Sequence, residues 1–472
     1  MTDRSSHAEP DLTTFTPPSV SHDSPPRGRA LLVELYDAAV AGAAPGPLTT
    51  AALRDFDVRR GQRIWLYAFG KAAHAMAGAA SASLLKGLHT IAAGVVVAPE
   101  AHASPYATIS ALVGDHPIPG RQSFAAAHRI GEVAGGMRSD DVALVLISGG
   151  ATSLIGAPLK GMSEADLVQL YRLLLGSGLD IREMNAVRKR FTRWGGGRLA
   201  LALAPARTHA LIISDVDGDD PADIASGPCT PDAYLAKDVI AILERTGLYD
   251  RIALPMRDHL AGVLRGITPE TPKRTHPAFA HVATRVIGSN RLSTQAAAAH
   301  AKSLGLPVID NGSVLDGDAA RCGASLASSL LERARDGWRG CIVWGGETTV
   351  KLEGRATPAH GVAAAGAASE PPRGGRCQEL ALSAARVLAE GGEAASRITL
   401  LAAGTDGRDG PTDAAGAFAD ATVWEAIRAS GRAPELALAR HDSYAALDAV
   451  DALHRRGHTG TNVRDVVMAV LE

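Results

Sequence analysis

Short apolar runs alternate with longer amphipathic stretches along most of this chain. The runs cover residues 64–69, 94–98, 142–148 and 210–214 in the first half, and 282–288, 308–310, 342–344 and 398–403 in the second. Short, uninterrupted apolar runs are typical of strands that are buried on both faces. The stretches between them repeat Leu and Ala every three or four positions, which is helical spacing. This alternation predicts an α/β fold built on a doubly wound parallel sheet.

The chain is too long for one ordinary core, because it has 472 residues and a typical domain has about 150. We expect a Rossmann-like domain over residues 29–270 and a smaller α/β domain over residues 271–472, with a ligand cleft between them. The crossover is placed at residues 262–280, which carry prolines and charges but little periodicity. The last helix of the chain could pack back on the first domain.

Two segments are predicted to lack regular structure. Residues 1–28 are rich in Ser and Pro and bury too little apolar surface to become ordered, so we expect a disordered tail. Residues 355–375 are rich in Ala, Gly and Pro, and we expect a flexible loop there. This loop ends directly before a helical stretch that contains Leu380 and Ala384.

Composition argues against several classes of function. Hydrophobic residues make up 46% and charged residues 21%, and the net charge of −2 gives no general attraction for nucleic acid or an anionic membrane. The sequence has no run of about 18 apolar residues and no apolar segment near its start, so we expect a cytoplasmic protein. The four cysteines lack the spacing of a zinc site. Either a monomer or a homodimer fits the sequence.

A glycine turn with a hydroxyl-rich continuation occurs twice, each time directly after an apolar run. The first copy is Ser148-Gly149-Gly150-Ala151-Thr152-Ser153 and the second is Gly345-Gly346-Glu347-Thr348-Thr349. Paired glycines let the backbone approach a ligand closely, and the amides and hydroxyls that follow can bind oxyanions. The two copies together predict a cleft lined by anion-binding turns.

Cationic side chains lie next to several glycine turns. Gly70-Lys71 follows the first apolar run, where we expect helix amides and the ammonium group to face a ligand. Asn185-Ala186-Val187-Arg188-Lys189 is a dense cationic segment. A solvated helix face explains such a run more often than not, but in a near-neutral protein these cations next to glycine turns are also suited to balance a phosphate. Gly374-Gly375-Arg376 places an arginine at a helix start, in reach of a phosphate. His116 is a candidate ligand or base, or a loop histidine held by its neighbours.

Two acidic turns follow buried strands. Asp215 and Asp220 lie in one turn, and Asp406-Gly407 and Asp409 lie in the other. Side chains at the carboxyl ends of strands in an α/β fold line the ligand crevice, where carboxylates can hold Mg²⁺. Asx-turns and helix caps account for such residues equally well.

Nine motifs in this order resemble the glycerate 2-kinase family with its MOFRL C-terminal domain. The resemblance extends from about residue 29 to the end of the chain. The motifs are Gly70 to Ala73, Gly114 to Pro117, Ile147 to Ser153, Asn185 to Lys189, Ser214 to Asp220 with Ile224 to Pro228, Gly345 to Thr349, Gly374 to Ala381, Gly404 to Gly416, and Gly460 to Val463.

The resemblance implies an enzyme that transfers the γ-phosphoryl group of ATP, with Mg²⁺, to the 2-hydroxyl of D-glycerate. It implies Lys71 and Arg376 as catalytic residues. We expect a phosphate- and substrate-binding surface made of Gly70, His116, Ser148, Gly149, Gly150, Thr152, Ser153, Asn185, Arg188, Lys189, Gly345, Gly346, Glu347, Thr348, Asp406 and Gly407, and metal ligands among Asp215, Asp220 and Asp409.

Two other functions remain open. Some family members are called hydroxypyruvate reductase, and a doubly wound sheet would also suit NAD(P)H. No strand in this sequence, however, leads into G-x-G-x-x-G. A sensor that binds a nucleotide or a sugar phosphate would keep the glycine turns, but it would not need a lysine and an arginine at one phosphate.

Overall fold

The first sheet has six parallel strands in the order β3-β2-β1-β4-β5-β6. They are β1 Arg63–Phe69, β2 Thr90–Ala98, β3 Ile109–Val113, β4 Val142–Ile147, β5 Arg207–Ile213 and β6 Val282–Gly288. Strand order changes direction between β1 and β4, and in open α/β sheets ligands bind at the carboxyl ends of the strands at such a point. The predicted doubly wound parallel sheet is confirmed.

Alternating side chains of the first sheet face two separate cores. Trp65, Tyr67 and Phe69 of β1 belong to one apolar cluster, and Ile64 and Leu66 belong to the cluster on the other face. The helices over this half of the chain are α1 Arg27–Gly42, α2 Pro45–Ala52, α3 Ala73–Lys86, α4 Arg121–Ala134, α5 Ala151–Leu154, α6 Glu164–Leu175, α7 Ile181–Phe191, α8 Arg198–Leu203, α9 Ala236–Arg245 and α10 Leu254–Leu264. The continuous apolar runs therefore reflect burial on both faces.

The second sheet is mixed and has the strand order β11-β10-β9-β12-β8-β7. Its strands are β7 Val308–Leu315, β8 Gly340–Gly346, β9 Ile398–Gly404, β10 Gly416–Asp420, β11 Leu453–His454 and β12 Asp465–Leu471. Its helices are α11 Asn290–Ser303, α12 Ala319–Arg335, α13 Arg376–Ala389, α14 Val423–Ala429, α15 Pro434–Ala439 and α16 Ser443–Asp448. Short 3₁₀ helices occur at Asp217–Asp219, Ile224–Ser226, Tyr249–Arg251, Pro277–His281 and Gly392–Arg397.

The last element of the chain is a strand at the middle of the second sheet. β12 pairs antiparallel with β8 on one side and with β9 on the other. Asp465, its first residue, pairs with Gly346 and Gly404, the last residues of those two strands. The start of β12 therefore lies between two predicted glycine turns. The chain does not end in a helix that packs on the first domain, so that expectation was wrong.

The sheets divide the chain differently from the predicted boundary at residue 270. β6 was expected to begin the second domain, but it pairs with β5 at the edge of the first sheet. Helix α1 was expected in the first domain, but Leu32, Leu35 and Tyr36 are buried in a cluster with residues of α11 and the second sheet. The Tyr36 hydroxyl also donates a hydrogen bond of 2.8 Å to the carbonyl of Gly404. Amphipathic spacing located these elements but could not say which sheet they join.

A computed structural model describes residues 27–59, 61–351 and 373–472. Residues 1–26 of the predicted tail and residues 355–372 of the predicted loop lie outside the described residues. Arg27 and Gly28 were included in that tail, but they form the start of α1. In the described ranges, no helix is both long and apolar enough to cross a membrane.

Acid should destabilise this fold partly through His454. Its ring is buried and packs edge-on against Tyr36 and Phe418, and burial lowers the pKa of His454 to about 4. The unfolded chain therefore binds a proton between pH 6.5 and 4 that the folded chain does not, and stability falls as pH falls. We expect His454 to account for about 2 kcal/mol of the decrease in the free energy of unfolding between pH 7 and 4.5.

Chemical denaturation of the wild type and of His454→Phe at pH 7 and 4.5 measures this contribution. The variant should lose less free energy of unfolding than the wild type over that interval. A substitution of the exposed His128, such as His128→Gln, serves as the control and should follow the wild type. Equal losses in wild type and His454→Phe would contradict the assignment.

Candidate active site

The turns after β1 and β4 are hydrogen-bonded into one unit at the point where strand order reverses. The Lys71 amide donates to the Gly149 carbonyl at 3.0 Å, and the Ala72 amide donates to Ser148 Oγ at 3.0 Å. Gly70 has a φ of +120°, and an added Cβ there would lie 2.3 Å from Ser148 Oγ. The backbone amides that were expected to face a ligand are thus occupied. The Lys71 side chain, in contrast, is exposed.

A cleft of about 490 Å³ opens beside this unit and is lined by residues associated with both sheets. Eight of the predicted site residues line it: His116, Gly150, Thr152, Ser153, Asn185, Arg188, Asp215 and Glu347. The structure also places Tyr171, Asp217, Asp223, Thr349 and Arg464 on its wall. Because Gly150 and Glu347 both line it, the two predicted glycine turns meet at one cleft.

Arg188 is a buried cation of the first-sheet wall. Its guanidinium lies over the Tyr171 ring at 4.8 Å and donates to Asn185 Oδ1 at 3.4 Å. Its Nε has no hydrogen-bond partner, and among the described residues Arg188 forms no ion pair with a carboxylate. Burial lowers the pKa of Arg188. A buried guanidinium without a counterion is unfavourable unless a ligand supplies the negative charge.

The neighbouring cations of α7 are already paired inside the protein. Lys189 Nζ is buried 3.4 Å from Asp223, whose carbonyl accepts a 2.9 Å hydrogen bond from Asn185. Arg190 is fully buried and pairs with Glu270 at 2.7 Å. The three cations of this segment therefore have different environments. Arg188 lines the cleft, whereas Lys189 and Arg190 form ion pairs inside the protein.

Burial and nearby positive charges shift the pKa values of His116 and Asp215. Desolvation by the cleft walls, together with the charges of Lys71 and Arg188, lowers the pKa of His116 to about 4, although the ring remains exposed to solvent. Burial raises the pKa of Asp215, while Lys71 and Arg464 act against that shift. At neutral pH His116 is therefore a neutral hydrogen-bonding group beside two cations.

The second-sheet wall is built around Glu347. Its Oε1 lies 3.2 Å from Arg376 Nη2, and its Oε2 lies 3.6 Å from Arg464 Nε. Arg376 also binds Asp465 with two hydrogen bonds, of 2.5 Å from Nε and 2.7 Å from Nη2. Gly345, Gly346 and Thr348 are buried residues that carry Glu347 to this position.

The second glycine turn requires glycine at position 346. Gly346 has a φ of +135°, and an added Cβ there would lie 2.3 Å from the Leu315 carbonyl oxygen. The amides of Glu347 and Thr349 donate to the carbonyls of Leu315 and Gly317. The second turn therefore presents its Glu347 side chain to the cleft, and these two amides do not form the predicted oxyanion cradle.

The predicted metal ligands do not come together. Asp220 accepts a hydrogen bond from the Ala222 amide in its own turn. Asp409 is buried and accepts hydrogen bonds from the Cys377 and Gln378 amides at the start of α13. Of the three predicted ligands, Asp215 lines the cleft, and no group of three acidic, His or Cys side chains in the described parts of the chain is arranged to hold a metal. Asx-turn and helix-cap roles account for the other two.

Asp406 and Gly407 lie in a turn that does not line the cleft. Asp406 accepts a hydrogen bond from the Arg408 amide and does not line the cleft. Gly407 has a φ of +81° and packs against the carbonyl of Gly457. In the same turn, Thr405 donates to the Arg464 carbonyl from its amide at 3.0 Å and from its hydroxyl at 2.6 Å. The second acidic turn therefore holds the segment that precedes β12.

Sequence reasoning missed four charged residues of the site. Arg464 and Asp465 directly follow the Gly460 to Val463 motif. Asp217 lies in the first part of the first acidic motif, and Asp223 directly precedes Ile224, where its second part begins. Their proximity to recognised motifs was the available signal. Their roles depend on which strands are neighbours, and local patterns do not give that information.

Comparisons with known proteins agree with this architecture. Residues 31–261 match the model of a domain of unknown function, DUF4147, and residues 340–465 match the MOFRL family. The chain is 34% identical over 422 residues to glycerate 2-kinase of Pyrococcus horikoshii, which covers 89% of each chain. The chain belongs to the glycerate 2-kinase family.

A crystal structure of glycerate kinase from Thermotoga maritima superposes on this glycerate 2-kinase family member with a TM-score of 0.80. The superposition covers 94% of this chain and 99% of that one, at 33% sequence identity. A relative from Agrobacterium vitis, provisionally named hydroxypyruvate reductase, is 37% identical over 93% of each chain. The family resemblance inferred from the nine motifs is confirmed.

Gly149 should be intolerant of a side chain because of Asp215. An added Cβ would lie 1.9 Å from Asp215 Oδ2, so that the carboxylate would have to leave its position on the cleft wall. Gly149→Ala should therefore lower kcat/KM at least about tenfold, since displacing a positioned group from a site is costly. Gly78→Ala in α3 is the matched control, because nothing lies within 4 Å of its added Cβ.

Steady-state kinetics and thermal melting of both variants separate catalysis from stability. The control should keep both activity and melting temperature. Wild-type kinetics in Gly149→Ala would contradict the proposed importance of the Asp215 position.

Proposed function

We propose that this protein is an ATP-dependent glycerate 2-kinase, which phosphorylates D-glycerate at the 2-hydroxyl and releases 2-phosphoglycerate and ADP. The observation that supports this most directly is the pair of cations at the two sides of one cleft. Lys71 stands at the reversal point of the first sheet beside the cleft residue Gly150, where an added Cβ would lie 3.6 Å from Lys71 Cγ. Arg376 contacts the cleft residue Glu347 from the second sheet at 3.2 Å.

Both substrates are anions, so the cleft must offset their mutual repulsion before the hydroxyl can reach the γ-phosphorus. Arg188 offers on one wall a guanidinium that pairs with no carboxylate in the described parts of the chain, and Thr152, Ser153 and Asn185 also line the cleft. Arginine binds carboxylates through two parallel hydrogen bonds. We assign the glycerate carboxylate to Arg188 and the polar residues beside it.

Phosphoryl transfer passes through a state whose charge is spread over three equatorial oxygens, so positioned cations supply much of the acceleration. We assign this role to Lys71 and Arg376. His116 is neutral at physiological pH, and its ring can accept a hydrogen bond from the 2-hydroxyl and orient it. Two cations and a neutral hydrogen-bond acceptor suit the developing charge and the attacking hydroxyl of this reaction.

Mg²⁺ is commonly bound through one or two carboxylates together with substrate phosphates. The oxygen donors of the cleft fit this pattern, because the Asp215 carboxylate lies on its wall together with those of Asp217 and Asp223. We assign the ion to Asp215 and exclude Asp220 and Asp409, which bind backbone amides. When bound, the ion neutralises part of the polyphosphate charge.

Hydride transfer has less support. In a dinucleotide-binding fold, the pyrophosphate binds the amides at the start of the helix after β1. Here the Lys71, Ala72 and Ala73 amides donate to Gly149, Ser148 and Gly70, respectively. These amides are thus not available to a pyrophosphate.

The product identifies the reaction. ATP and D-glycerate should release ADP, and the product should be consumed by enolase without phosphoglycerate mutase, because enolase accepts 2-phosphoglycerate. A product that needs the mutase would mean phosphorylation of the 3-hydroxyl. Oxidation of NADH by hydroxypyruvate would instead support the reductase, and ATP binding without ADP release would support the sensor.

Lys71→Met and Arg376→Ala should each lower kcat by about 100-fold or more, the scale of lost transition-state contacts. Lys86→Met and Arg386→Ala are matched controls. Lys86 is exposed in the last turn of α3, the helix that follows Lys71, and Arg386 is exposed in the last turn of α13, the helix that begins with Arg376. The controls should retain wild-type turnover in the same coupled assay. Near-normal kcat in either test variant would disprove its catalytic role.

A further inference from the structure

Arg464 is held in an unusual backbone conformation at the edge of the cleft. Its φ is +73°, a region that side-chain-bearing residues seldom occupy. Thr405 donates twice to its carbonyl, and Asn290 Nδ2 donates at 2.8 Å to the carbonyls on either side, of Val463 and Asp465. Strained backbone that is fixed by several hydrogen bonds is characteristic of functional positions.

The Arg464 side chain connects the two sheets. Its Nη1 donates at 3.1 Å to Oδ1 of Asp217, which lies in the turn after β5, and its Nε lies 3.6 Å from Glu347, which directly follows β8 of the second sheet. The Arg464 side chain is 10% exposed, whereas those of Asp217 and Glu347 are 69% and 40% exposed. Ion pairs with such exposed carboxylates contribute little, so a bound anion can replace them at small cost.

The neighbours of Arg464 indicate which substrate it meets. It shares Glu347 with Arg376. Its other partner, Asp217, lies two residues after Asp215, which packs against Gly149 in the turn that accepts the Lys71 amide. Arg188, which also lines the cleft, has no carboxylate partner among the described residues and belongs to the first-sheet wall. The site thus has one cationic group beside Arg376 that reaches the turn after β5, and a second cationic position for a smaller anion.

We propose that Arg464 binds the polyphosphate of the nucleoside triphosphate, and that Asp217 holds this guanidinium across the cleft until the nucleotide replaces it. The proposal rests on the proposed kinase function. On this proposal the nucleotide phosphates bind on the Arg464 side of the cleft, and the carboxylate of the acceptor binds to Arg188. Asp217 then competes with the nucleotide, which gives substitutions at the two residues opposite effects.

Arg464→Gly removes the side chain and suits the backbone, because glycine adopts positive φ without strain. It should raise the KM for ATP, and the Kd of a non-hydrolysable ATP analogue measured without glycerate, at least tenfold. The KM for D-glycerate should stay within twofold. Arg464→Lys should recover part of the nucleotide affinity, because it keeps the charge without the planar fork. Asp217→Asn should bind the analogue as tightly as the wild type or up to about fivefold more tightly.

Arg182→Ala is the matched control. Arg182 Nη2 donates to the Asp217 carbonyl at 3.4 Å, but Arg182 does not line the cleft. Its substitution should leave both KM values unchanged. Unaltered nucleotide affinity in Arg464→Gly, a rise confined to the KM for D-glycerate, or weaker analogue binding in Asp217→Asn would each overturn the proposal. Wild-type protein that binds the analogue but never phosphorylates glycerate would instead overturn the proposed function, since the binding assay needs no acceptor.

Discussion

The paired hydrogen bonds between Arg376 and Asp465 organise the second half of the site. Asp465 is buried at the start of β12, between the carboxyl ends of β8 and β9. Because β12 runs antiparallel to both neighbours, its first residue is brought to the edge of the sheet where their glycine turns lie. An arginine at the start of α13 is thereby fixed against the strand ends, and Glu347 is held between it and Arg464.

The same end of α13 depends on a second buried carboxylate. Asp409 accepts the Cys377 and Gln378 amides, and burial together with the nearby Asp465 raises the pKa of Asp409 to about 7. An added Cβ on Gly375 would lie 2.2 Å from the Asp409 carboxyl carbon, so the glycine is needed for this contact. The Gly-Gly-Arg motif therefore lets the start of α13 pack on the turn that contains Asp409, and it places the Arg376 guanidinium against Glu347 of the cleft.

Much of this arrangement follows from local sequence. Apolar runs located β1, β4, β5 and β8, and glycine turns at their ends marked the groups that meet at the cleft. The sequence could not show that the seven residues of β12 form a strand at the middle of the second sheet, because strand pairing is a long-range property. For the same reason Arg464 and Asp217 were missed, and Asp409 was taken for a metal ligand although it caps α13. Lys189 was predicted to bind substrate or phosphate, but its ammonium group is buried and pairs with Asp223.

The central claim is that phosphoryl transfer occurs between Lys71 on the first sheet and Arg376 on the second. A crystal structure with D-glycerate and a non-hydrolysable ATP analogue tests it most directly. The account predicts that oxygens of the γ-phosphate contact both Lys71 Nζ and the Arg376 guanidinium, with the 2-hydroxyl of glycerate facing the γ-phosphorus. A γ-phosphate bound by residues of one sheet alone, with the other cation remote from it, would contradict the account.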